Sequence, residues 1–228
     1  MLPNCNAIER IAAQRVAAVG ASAQNYFDEA SEIVVFGSMS AGLDGPGSDI
    51  DILCFGLHAY KLKTDLLDLI GFPRELAKSP AWLQSELATH IAEYGTPLKG
   101  GSKWINFARI GQSAIDIKSR RIATFLRSLP SAWLNLNEGF RVKYAVKLRR
   151  ETQRLLLLER RTPIPPTKIL DNSWECISKS RYEIRDRLLR MSIDRQSVFI
   201  RDLLDRIEAH FAVNDTLGPQ TSPRPLFH

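Results

Sequence analysis

A short β-branched run, Glu32-Ile33-Val34-Val35-Phe36, stops at Gly37-Ser38. It crosses a polar loop holding Gly42, Gly45, Pro46 and Gly47, then resumes as Ser48-Asp49-Ile50-Asp51-Ile52-Leu53. No regular element tolerates that loop, so the pattern reads as strand, loop, strand. Side chains alternate along a strand, so Asp49 and Asp51 fall on one face while Ile50 and Ile52 fall on the other. Two carboxylates in one small space repel each other and resist burial unless a cation neutralises them. Magnesium suits such a place, because it takes oxygen ligands and shares them with phosphates.

The rest of the chain frames this unit. Residues 6 to 28 read as an amphipathic helix with a break expected at Gly20, and Asn6 with Glu9 resembles a capping box. Residues 60 to 70 read as helical. Ser79-Pro80 is a helix start, followed by Leu83, Leu87, Ile91 and Tyr94 at helical spacing up to Gly95. Ala114 to Lys118 reads as a third strand, which places Asp116 as a third carboxylate beside Asp49 and Asp51 if the strands pair. Lys118 shares the alternation phase of Asp116, within reach of a bound phosphate or of an ion-pair partner. Lys99 and Lys103 flank Gly100-Gly101 in a loop able to close over a ligand.

Helices follow from about residue 122: one over 138 to 160, a connector at Pro163, Pro165 and Pro166, and two more near 172 to 191 and 194 to 212. The expected fold class is therefore α+β: a small mixed sheet flanked by helices, then a C-terminal helical bundle. The expected domains are 1–121 (catalytic), 122–213 (helical) and a polar, Pro-rich tail at 214–228 expected to be disordered.

The 228 residues carry a formal net charge of +6, which favours polyanionic partners. Residues 139 to 201 hold about 16 Lys or Arg against about 7 acids, either a solvated helical surface or a polyanion groove. Cys5, Cys54 and Cys176 lie far apart, without zinc spacing, and a reducing, cytoplasmic location is expected. No apolar run approaches the roughly 20 residues that span a bilayer, and no signal-peptide pattern is seen. A P-loop and a GxSxG elbow are absent from the sequence.

The Gly37-Ser38 pair, the spacer of about ten residues, the Asp49-Ile50-Asp51 strand and the later lone Asp116 together resemble the polymerase-β-like nucleotidyltransferase superfamily. The wording Phe36-Gly37-Ser38 and Ser48-Asp49-Ile50-Asp51-Ile52 is most similar to minimal and aminoglycoside-type bacterial members. The resemblance covers roughly residues 30 to 120. It implies a transferase that moves a nucleoside monophosphate from an NTP, ATP among them, to a hydroxyl acceptor and releases pyrophosphate. Asp49, Asp51 and Asp116 would hold two Mg2+ ions, with Mn2+ an alternative, and Asp116 would also serve as base. Gly37 and Ser38 would hold the triphosphate, and Lys118 would assist. The arginine that members often carry after the GS pair is missing, with Met39 and Ala41 in its place. A small molecule, a protein or RNA remains open as acceptor, the oligomeric state is undetermined, and a catalytically silent or antitoxin-like binding module is the alternative.

Overall fold

The computed structural model describes residues 5–172 apart from 46, 57 and 134. The bundle helices expected beyond residue 172, the tail at 214–228 and the arginines among them lie outside the described residues. The chain divides into two compact units, one made of Met1–Arg121 with Gln153–Trp174, the other of Ile122–Thr152 with Glu175–His228.

The first unit is built on a five-stranded mixed sheet. Two helices lead in, α1 (Cys5–Val19) and α2 (Ala21–Glu29), parted at Gly20, whose φ of 127° is open to glycine alone among common residues. Strand β1 (Glu32–Phe36) is followed at once by the single turn α3 (Gly37–Ser40). Then come β2 (Ile50–Gly56), β3 (Tyr60–Lys63) and β4 (Leu67–Pro73). A 3₁₀ turn at Arg74–Lys78 leads to α4 (Pro80–Leu83), α5 (Glu86–Tyr94) and β5 (Thr96–Lys99). The strand order is β3-β4-β2-β1-β5, with β2 and β4 parallel and the other neighbours antiparallel.

Alternation sorts the strand residues between two cores. Ile33, Val35, Ile50, Ile52, Cys54, Leu67 and Leu69 pack with α1 and α2 on one face. Val34, Phe36, Leu53 and Phe55 pack on the other with Ala88 and Ile91 of α5 and with Trp82 and Trp104. Phe55, Trp82 and Trp104 meet edge to face with centroids 5.1 to 5.8 Å apart, an arrangement the ring quadrupoles favour. Helix starts follow their sequence signals. The Ser79 hydroxyl accepts from the N–H of Trp82, and the Ser85 hydroxyl accepts from that of Ala88.

Two sequence expectations are corrected. Residues 60 to 70 are not a helix but the β3–β4 hairpin. Ala114 to Lys118 is not a strand; it lies in α6 (Gln112–Trp133), where Ala114, Ile115, Lys118 and Ile122 recur at helical spacing as the buried stripe. Both segments are short, and a few alternating residues fit either periodicity. Two further helices are described, α7 (Glu138–Glu159) and α8 (Thr167–Asn172). Among the described residues no helix is long and apolar enough to cross a membrane.

Candidate active site

The functional face emerges from strand register. Phe36 of β1 stands opposite Asp51 of β2, Asp51 stands beside Asp68 of β4, and Asp68 stands opposite Lys63 of β3. Asp51 has the parity of Leu53 and Phe55, and Asp68 that of Ile70 and Phe72, so both carboxylates share the α5 side of the sheet. Asp49 precedes β2 by one residue and lies near enough to act on the charge of Asp51. The acid that the sheet places beside Asp51 is Asp68, supplied by the strand parallel to β2.

The crowding acts on the charges of these groups. Burial, then the charge of Asp49, then that of Asp68 push the Asp51 carboxyl up to about 7, with Lys63 opposing. Lys63 Nζ lies 2.5 Å from Asp68 Oδ2, and its amine is raised first by that hydrogen bond and further by the charges of Asp68, Asp49 and Asp51. The other oxygen, Asp68 Oδ1, is buried without a hydrogen-bond partner. A buried orphan carboxylate oxygen is costly, and its place beside two further aspartates fits a hard, oxygen-seeking divalent cation. Among the described residues no group of three or more His, Cys, Asp or Glu side chains is arranged so that it could hold a metal ion. The Lys63 ammonium takes one of the Asp68 oxygens.

Gly37 closes the site from the β1 side. Its φ is +77°, and a Cβ there would lie 2.1 Å from Asp51 Oδ2. The backbone therefore passes against the carboxylate at a distance only glycine allows. Ser38 follows within α3, a single turn whose leading N–H groups have no intrahelical acceptor and suit phosphate oxygens. The Ser40 hydroxyl is taken up with Thr96 Oγ1 at 2.7 Å.

The other residues singled out from sequence lie elsewhere. Asp116 is exposed on α6 and accepts a hydrogen bond from Gln112 Nε2 at 3.0 Å; it is not on a strand beside β2. Lys118 is only 2% exposed and forms an ion pair with Glu86 of α5 at 2.8 Å, so its charge is already committed. Lys99 donates to the Asp28 carbonyl, and β5 runs antiparallel to β1 with Lys99 opposite Ile33. The Lys99–Lys103 loop consequently sits at the far end of β1, not over the acids. A cavity of about 810 Å³ lined by Glu32, Lys78, Trp104 and Phe107 lies at that same far end.

Asp68 was visible in principle. It stands between Leu67 and Leu69 as Asp51 stands between Ile50 and Ile52, and Tyr60-Lys61-Leu62-Lys63 alternates cleanly.

The mixed sheet thus brings the D-x-D strand, a neighbouring acid and the Gly-Ser turn together. Residues 23–89 match the family model described as nucleotidyltransferase domain. That match contains Gly37, Ser38, Asp49, Asp51 and Asp68 and ends well before Asp116. No curated protein matches the chain. Among solved structures, a nucleotidyltransferase-like protein from Exiguobacterium sibiricum 255-15 is similar at 11% identity and a TM-score of 0.43, over 85% of this chain and 73% of its own. A toxin-antitoxin structure with AMP-PNP is similar at 21% identity and a TM-score of 0.28, over 54% of this chain and 92% of that one. Both scores are too low to transfer an activity.

Proposed function

We propose that the protein is a metal-dependent nucleotidyltransferase that moves a nucleoside monophosphate from an NTP to a hydroxyl acceptor and releases pyrophosphate. The observation that carries this reading is the alignment of Asp51 and Asp68 on parallel strands, beside Asp49 and against Gly37.

Asp49, Asp51 and Asp68 would hold the divalent cations, Mg2+ in the first instance. Bound there, the cations cancel the repulsion among the carboxylates and draw charge from the phosphate oxygens. The chain's own groups do the rest. Gly37 lets backbone approach the ligand, and the N–H groups of Ser38 and Met39 with the Ser38 hydroxyl receive the triphosphate. The acceptor oxygen forms a bond to the α-phosphorus, the bond from that phosphorus to the bridging oxygen breaks, and the electron pair leaves with pyrophosphate. The acceptor's proton passes to the carboxylate cluster.

The test compares Asp68→Asn with Asp116→Asn, each supplied with the four NTPs and Mg2+ and read as pyrophosphate release. Asp68→Asn is expected to lose turnover by at least about a hundredfold, in line with removal of a transition-state charge partner. Asp116→Asn is expected to stay near wild type. The opposite ranking would return the third acid to Asp116 and overturn the geometry proposed here.

A further inference from the structure

The charged row across the sheet contains a cation where the proposed chemistry needs a metal. Lys63 stands opposite Asp68 in register and closes on its Oδ2 at 2.5 Å. The two partners differ in what surrounds them. Strand β3 is the sheet edge, and the Lys63 side chain is 61% exposed; Asp68 is 18% exposed and keeps a buried oxygen with no partner. The ammonium can therefore return to water with little loss, since an ion pair with one solvated member is weak. The carboxylate has no such exit. An edge lysine that pairs with Asp68 and feels the charges of Asp49 and Asp51 supplies positive charge there.

We propose that Lys63 is a resident counter-cation: it holds Asp68 while the protein is free of metal and yields that oxygen to an arriving divalent ion. This rests on the reading that Asp49, Asp51 and Asp68 form the metal site. The exchange is ion for ion, with no bond made or broken. Once displaced, the Lys63 ammonium remains at the rim of the same face, and the triphosphate is the anion at hand to receive it. Metal and nucleotide then favour each other's binding through one side chain, as reciprocal linkage requires.

Mn2+ alone, titrated into the full chain without nucleotide and followed by electron paramagnetic resonance or calorimetry, reads the exchange directly. Lys63→Gln and Lys63→Met, the second keeping the apolar stem, are expected to bind Mn2+ on the order of fivefold more tightly than wild type, the upper end for an exposed pair. In chelator both variants are expected to melt below wild type, and saturating Mn2+ is expected to close that gap. Unchanged or weaker Mn2+ affinity in both variants would overturn the role of Lys63 and leave the carboxylate site standing. Asp68→Asn separates the two ideas. If it binds Mn2+ as wild type does, or if wild type binds none, the three-carboxylate reading fails and the Lys63 exchange fails with it.

Discussion

At the scale of single residues the site is a problem in charge and space. Gly37 shows the spatial side. Alanine there would place Cβ 2.1 Å from Asp51 Oδ2 on a backbone with φ of +77°. The left-handed conformation alone costs about 1 to 2 kcal/mol, and the carboxylate must also move. Gly37→Ala is therefore expected to lower the melting temperature and to reduce NTP turnover by roughly a hundredfold, the penalty for misplacing a reacting group by about an ångström. Asp51 shows the electrostatic side. Its folded-state pKa is raised from 3.8 to about 7, so between those values the folded protein holds a proton that the unfolded chain has released. Without metal, the contribution of Asp51 to stability consequently falls as pH rises from about 4 to 7 and stays lost above that window. Asp51→Asn should raise metal-free stability at pH 8 by about 2 kcal/mol, read by denaturant titration, while abolishing turnover. A metal-free melting profile that rises over the same interval in wild type but not in Asp51→Asn would contradict the assignment.

Elements decide which residues meet, and here the sequence was legible unevenly. The β1–loop–β2 unit was readable because β-branched residues, a glycine-rich loop and paired acids all agree on one structure. The break at Gly20 and the Ser79 cap were readable for the same reason. The β3–β4 hairpin was misread because Lys, Leu and Asp between residues 60 and 70 fit a helix as well as a strand, and only pairing with β2 decides between them. That single misreading hid Asp68. The stretch from Ala114 to Lys118 failed in the opposite sense: five alternating residues belong to a helix whose stripe runs on to Ile122. Its buried Lys118 joins α6 to α5 through Glu86, which is 30% exposed on its side chain. Glu86→Ala should cost about 2 kcal/mol, because it removes one anionic partner of a buried charge. Lys118→Met should cost less, and equal losses from the two changes would show that packing rather than charge governs this joint.

Across the whole molecule the order of the chain and the order of its compact units disagree. An uninterrupted first domain of residues 1–121 is the simple expectation, yet Gln153–Trp174 belongs with the same unit. The attachments are specific. Arg161 donates to the Ile110 carbonyl and to Gln112, His90 Nδ1 lies 2.6 Å from the Ile164 carbonyl oxygen, and Lys168 donates to the Leu43 carbonyl in the loop that leads to Asp49. Leu155, Leu158 and Leu170 are fully buried, and Ile164 nearly so. Nothing local in residues 153 to 172 announces this return, because a buried leucine stripe and a proline connector fit many partners. Burial of a large aliphatic side chain is worth about 1.5 to 3 kcal/mol, so a fragment ending at residue 121 forfeits several such contributions. Set against the usual margin of about 5 to 15 kcal/mol, that loss is enough to abolish cooperative folding. The fragment 1–121 is therefore expected to bind a hydrophobic dye and melt without a sharp transition, although it retains Gly37, Asp49, Asp51 and Asp68. A cooperative melt at the full chain's temperature would show that residues 153 to 172 lie against the unit without supporting it.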